Sequence, residues 1–143
     1  MTWGKKSLIQ AAMDGDLETL RRALERGTEV NDQNSEGWAP LHGAVWKGQT
    51  ECARFLIGHG AEVNARDQHG QTPLHWAAGN GHTQCVRFLL EQGANLALQD
   101  NKGRTARDFA LEAGRIECAD LLDVRENHLA LEELWDERAG AAP

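Results

Sequence analysis

The chain has 143 residues, the size of one ordinary domain, and its 41% hydrophobic and 26% charged residues place it among globular rather than disordered sequences. Its net charge of −7 argues against a broad nucleic-acid surface, which needs clustered lysine and arginine. No apolar run approaches the ~20 residues that a bilayer crossing requires, and "MTWGKKSLIQ" at the start lacks the apolar stretch of a secretory signal, so a protein of the cytoplasm or nucleus with no membrane partner is expected.

A shift of 33 residues overlays the chain on itself. "KSLIQAA" (6–12), "APLHGAV" (39–45), "TPLHWAA" (72–78) and "TARDFAL" (105–111) fall in register. Eleven glycines recur on three phases: Gly4, Gly37, Gly70 and Gly103; Gly15, Gly48, Gly81 and Gly114; Gly27, Gly60 and Gly93. This divides residues 1–126 into units at about 1–33, 34–66, 67–99 and 100–126.

The first unit carries Lys5, Lys6, Arg21, Arg22 and Arg26, a basic cap for one end of a stack. The second repeats the helix phrase as "APLH", with Ala39 where a capping threonine is expected. The third shows each step most clearly. "DQHG" (67–70) suits a type I turn, Thr72 offers a helix N-cap oxygen, and Pro73 occupies the first helical turn. Gly81 ends that helix, a second runs through Val86, Leu89 and Leu90, and Gly93 ends it. The fourth places Arg107 where the earlier units have Leu8, Leu41 and Leu74, so this side is expected to border water or the acidic tail. Residues 123–143 hold six acids against two arginines. Leu131, Leu134 and Trp135 make one apolar stripe there, which predicts an acidic C-terminal helix within 127–143, folded over the fourth unit or free to catch a partner.

Cys52, Cys85 and Cys118 are spaced by the repeat. Equivalent positions on stacked helices lie ~8–10 Å apart, beyond the ~7 Å Cα reach of a disulfide, so all three read as small buried residues in a reducing compartment. No C-x2-C occurs, the nearest histidine combination, His69 and His75, spans a turn and a helix start rather than one metal-binding element, and neither a nucleophile elbow nor a phosphate-binding loop is present. No enzymatic activity, cofactor or metal is expected.

The run from Gly70 to Ala94, G-x-TPLH-x-AA-x-x-GH-x6-LL-x-x-GA, resembles the ankyrin repeat. The resemblance covers about residues 1–126 and implies an all-α solenoid of four helix-turn-helix units with β-turn fingers. It implies that His42 and His75 hydrogen-bond locally to hold the turns, with Asp108 at the same phase of the fourth unit and Ile9 in the first. It also implies protein binding, through the turn tips and the exposed side of the first helices, by a monomer. Four units at ~10 Å spacing give a groove roughly 40 Å long, enough for an interface of ~800 Å² per partner.

The outward phases propose Trp38, Trp46, Lys47, Arg66, His69, Gln71, Trp76, Asn80, Lys102, Arg104 and Glu112 as partner-binding residues. Tryptophan and arginine are favoured as interface hot spots. For Trp76 a second reading stays open, packing over the small Gly43 and Gly79. The function expected is that of an adaptor or scaffold. The alternative is a dedicated inhibitor or regulatory subunit of an enzyme such as a protein kinase or phosphatase. Ankyrin-type inhibitors of cyclin-dependent kinases are similar in outline but have a distorted first helix in the second repeat, whereas "APLHGAVWKG" is regular. Leu56 followed by Glu62-Val63-Asn64 also resembles the site of an asparaginyl hydroxylase, so Asn64 is a candidate for hydroxylation; the other reading is that it hydrogen-bonds its loop.

Overall fold

The structure, a computed structural model, describes residues 7–123. Eight helices follow one another in pairs: α1 (Leu8–Asp14) with α2 (Leu17–Glu25), α3 (Pro40–Trp46) with α4 (Thr50–Gly58), α5 (Pro73–Gly79) with α6 (Thr83–Glu91), and α7 (Ala106–Glu112) with α8 (Ile116–Leu121). The described residues contain no strand, and the class is all-α, as the 33-residue pattern predicts. The expected C-terminal helix over 127–143 lies outside the described residues.

Three of the four first helices start where the sequence supplies a side-chain cap. Thr72 and Thr105 accept from the amides of His75 and Asp108, and Pro40 and Pro73 fill the first helical turn. Ala39 has no oxygen to offer, and the His42 amide falls back on the Ala39 carbonyl at 3.0 Å. In the first unit Ser7 caps instead, accepting from the Gln10 amide at 3.0 Å, so α1 begins one residue later in the repeat phase than its counterparts.

The loops before α3, α5 and α7 are turn fingers. In the third unit the Gly70 amide donates to the Asp67 carbonyl at 2.9 Å, and the Asp67 amide to the Gln71 carbonyl at 2.9 Å. The Asp67 carboxylate accepts from the amides of His69 and Gln71, both at 2.9 Å. Neighbouring fingers join through the backbone, Gln68 N–H to Glu36 O at 3.0 Å and Asn101 N–H to His69 O at 2.9 Å. Gly70 must be glycine twice over. Its φ is +76°, and a Cβ there would sit 2.6 Å from Asn101 Oδ1 on the next finger.

His42 and His75 fasten finger to finger. Each Nδ1 accepts a backbone N–H at 3.0 Å, from Ala39 and Thr72 respectively. An amide can only donate, so Nδ1 is the bare nitrogen and Nε2 carries the hydrogen. Nε2–H then donates to a carbonyl of the following finger: Gln71 O at 3.1 Å from His42, and Arg104 O at 2.8 Å from His75. Both rings are fully buried. Burial pushes both imidazoles below the ordinary 6.5, outweighing the opposite pull of the Gln71 and Arg104 carbonyls. Asp108 reproduces the first half of the motif, accepting from the Thr105 amide at 2.9 Å.

A third set of ties runs from the starts of α4 and α6 to the first helix of the preceding unit. Gln49 Nε2 donates to Met13 O, and His82 Nε2 to Trp46 O, both at 3.0 Å. The side chains of Gln49 and His82 come within 2.8 Å of where a Cβ would stand on Gly15 and Gly48, so the helix-ending glycines also clear their path.

The core is one continuous strip that repeats with the sequence. Ala11, Ala44, Ala77 and Ala110 are fully buried on the first helices, where small side chains let neighbouring helices approach. Leu56, Leu89 and Leu122 are buried on the second-helix side, beside Leu20, Ala53, Val86 and Ala119. Cys52, Cys85 and Cys118 are buried free thiols in the same layer. No unit closes a core by itself, so stability resides in the contacts between units. Arg107 is half-exposed on the outer side of the fourth unit, its Nη2 3.6 Å from Asp123 Oδ2, in keeping with an end bordered by water and acidic residues. No helix among the described residues is long and apolar enough to cross a membrane.

Two outcomes follow. Replacing His75 by alanine strands the Thr72 amide and the Arg104 carbonyl, and should cost about 2–4 kcal/mol in a urea melt without changing the helical circular dichroism at low denaturant. Because folding lowers the imidazole pKa, the native state holds fewer protons than the unfolded chain. Stability conferred by the two rings is therefore complete above about pH 6.5 and declines as the pH falls below it. Urea melts at pH 7.5 and 5.5 check this, and His42→Gln with His75→Gln should flatten the difference.

Candidate functional site

Trp38 leaves the second finger, Trp46 closes α3, and Trp76 stands midway along α5. The three come together. The Trp38 ring centroid lies 5.3 Å from Trp46 at an interplanar angle of 75°, and 5.2 Å from Trp76 at 61°. Such edge-to-face pairs add to burial. All three rings are half-buried. With Ser7, Ile9, Gln10, Met13, Asn34 and Glu36 they line a pocket of about 460 Å³, within the size range of ligand sites.

The scaffold holds each ring in place. Trp76 Nε1–H donates to Asp67 Oδ2 at 3.1 Å, so the carboxylate that folds the third finger also fixes this indole. The Trp38 amide donates to Asn34 Oδ1 at 3.0 Å, and the ring stacks on His42 at 6.1 Å and 20°. Lys47 sets its ammonium 5.0 Å from the Trp46 centroid. The atoms nearest to a Cβ on Gly43 belong to Ile9 and Met13, and those nearest to one on Gly79 to Phe109. Trp76 itself has Trp38, Asp67 and, at 6.4 Å, Phe109 among its neighbours.

A second, polar group lies on the third and fourth units. Asp100 accepts from the amides of Lys102 and Arg104 at 2.9 Å and from Arg104 Nη2 at 3.0 Å. Burial alone would push this carboxyl up, but the two amides and the guanidinium together hold it down to about 2. The Arg104 guanidinium lies 4.7 Å from the Phe109 centroid and reaches Glu112 at 3.5 Å. Together with Asp100 and Asn101, the candidates His69, Gln71, Lys102 and Arg104 line a shallow depression of about 240 Å³.

Several expected contact residues are taken up by the scaffold. Gln71 is not an exposed tip residue: it is only 8% exposed, because its amide is drawn to Asp67 and its carbonyl to His42. The Arg66 guanidinium donates to the Gln99 carbonyl of the next unit, although the residue is exposed. Asn80 is half-buried and donates to Trp76 O at 2.9 Å, tying down the end of α5. Asn64 Oδ1 accepts from the Asn95 amide at 2.9 Å, as Asn31 Oδ1 does from the Glu62 amide at 2.8 Å. His69, Lys47, Lys102 and Glu112 remain exposed.

Among the residues lining the tryptophan pocket, Ser7, Ile9 and Asn34 escaped the outward-phase reasoning. Asn34 stands on the same phase as Asp67 and Asp100, and that spacing was the available signal. Ile9 carried none, since its phase is occupied elsewhere by buried histidine.

The thiols of Cys52 and Cys85 are pushed up by burial, which disfavours the nucleophilic thiolate. Among the described residues no cluster of three or more His, Cys, Asp or Glu is placed to hold a metal ion.

Comparison with known proteins agrees with this architecture. Residues 8–57 match a family model described as "Ankyrin repeats (many copies)", and residues 64–128 match one described as "Ankyrin repeats (3 copies)". Over 48 residues, 34% of its length, the chain is 44% identical to the protein VAPYRIN-LIKE of Medicago truncatula, 10% of which is covered. Over 41 residues, 29% of its length, it is 44% identical to ankyrin repeat and SOCS box protein 2 of Homo sapiens, 6% of which is covered. The chain thus matches a tenth or less of the length of these relatives. With matched segments at both ends of the described helices, four helix pairs and the histidine-linked fingers, the chain belongs to the ankyrin repeat family.

Proposed function

We propose that the chain is a protein-binding adaptor that holds a segment of a partner protein against its fingers and first helices. Ankyrin repeats generally serve protein–protein binding and are typically non-catalytic. The observation that carries the reading is the cluster of Trp38, Trp46 and Trp76 around one open pocket. Binding hot spots are enriched in tryptophan and arginine and sit in well-packed pockets ringed by weaker contacts. Here Asp67 holds the Trp76 indole and His42 stacks on the Trp38 ring, so little freedom of these two side chains is lost when a partner arrives.

Lys47, His69, Lys102, Arg104 and Glu112 form the polar margin in this reading, with Arg66 and Asn80 acting through the bonds that hold loops and helix ends. A dedicated inhibitor or regulatory subunit would use the same surface. The regular α3 sets the chain apart from the ankyrin-type kinase inhibitors. At Asn64 the carboxamide is already engaged with Asn95, so hydroxylation there would start from an opened loop.

Trp46→Ala tests the reading. Proteins captured by the 143-residue chain and by this variant are compared by cross-linking and mass spectrometry, with thermal melts as control. The expected outcome is loss of a specifically captured protein, by tenfold or more for a hot spot worth about 2 kcal/mol, with the melting temperature nearly unchanged. Unchanged capture, or a collapse of the melting temperature that makes Trp46 a packing residue, would contradict it.

A further inference from the structure

The tryptophan pocket has a chemical preference beyond apolar area. An aromatic face carries negative potential, and a cation within ~6 Å of the ring centroid is attracted to it. Trp46 and Trp76 stand at 75° and 61° to Trp38, so the rings wall the shared pocket on more than one side. Glu36 lines the same pocket, and among the described residues no lysine or arginine does. An apolar guest would gain nothing from that carboxylate; a cation would.

The chain already displays the interaction. Lys47 keeps its ammonium 5.0 Å from the Trp46 centroid. Trp76 is further primed by donating its indole N–H to the Asp67 carboxylate at 3.1 Å. The net charge of −7 draws cationic partners toward the surface as a whole.

Resting on the groove reading above, we propose that the pocket of Trp38, Trp46, Trp76 and Glu36 takes the ammonium group of a lysine side chain in the partner segment, and takes it better when that nitrogen is methylated. Indole faces offer no acceptors to replace the water around an unmodified ammonium. Methyl groups keep the charge, spread it over a larger and less hydrated group, and remove donors that would otherwise go unpaired. The volume of about 460 Å³ admits such a head with part of its aliphatic stem. A guanidinium would bring five donors to a site whose walls are mostly carbon.

The test uses the full chain and defined probes. Choline and 3,3-dimethylbutan-1-ol share a shape and differ by one positive charge. Both are titrated while the indole Nε1–H resonances and tryptophan fluorescence are followed. The peptide Ala-Ala-Lys-Ala-Ala is then compared with its trimethyl-lysine form. Choline should saturably shift the indole signals of Trp38, Trp46 and Trp76, with the alcohol about tenfold weaker. The trimethylated peptide should bind more tightly than the plain one. Trp46→Leu should remove choline binding, and Glu36→Gln, at an exposed position that leaves the fold intact, should weaken it about threefold. Equal binding of the alcohol and choline, or choline binding indifferent to both substitutions, would overturn the inference. Partner capture that still depends on Trp46 would then leave the groove reading standing, whereas capture indifferent to Trp46 would remove the groove reading itself.

Discussion

The imidazole bridge between fingers is the constraint on which the rest depends. His42 and His75 each accept an N–H from the start of their own helix and donate to a carbonyl of the next finger. Only a neutral ring can do both at once, and burial keeps it neutral. The bridge thereby converts local helix capping into long-range order. Asp108 can accept but, as a carboxylate, cannot donate onward, and Ile9 can do neither. The two complete bridges therefore join the second finger to the third and the third to the fourth.

The functional surface is a product of that fastening. The finger that His42 secures carries Trp38 and Glu36, and the finger that receives its Nε2–H carries Asp67, whose second oxygen holds Trp76. Trp46 supplies the carbonyl that receives His82 from the following helix pair. Residues that hold the stack and residues that shape the pocket are thus covalent or hydrogen-bonded neighbours. This lets a small chain present an ordered aromatic site.

The regular features were legible because each depends on local chemistry repeated at a fixed interval. Glycines on three phases marked the left-handed turns, and all ten of those within the described residues have φ between 73° and 96°. Thr72, Pro73 and His75 announced the helix start, and Cys52, Cys85 and Cys118 announced a buried layer. The three tryptophans could be placed on adjacent units from phase alone. Their mutual contacts could not, because they depend on the side-chain rotamers of the tryptophans themselves, which phase does not set. The burial of Gln71 was hidden for a related reason: phase places it at a turn tip, but its backbone bonds to Asp67 and His42, and the residue is only 8% exposed. The one-residue offset of α1 was hidden by Ser7, which caps from a position that holds proline in the next two units.

The central claim is that stability lies between repeats rather than within them. Native-state hydrogen exchange on Leu89→Ala tests it most directly, since Leu89 is fully buried in the strip shared by the units. If the claim holds, protection falls not only in α5 and α6 but also in the flanking α3, α4, α7 and α8, by similar free energies. Loss of protection confined to α5 and α6, with the neighbours as slow to exchange as before, would contradict it.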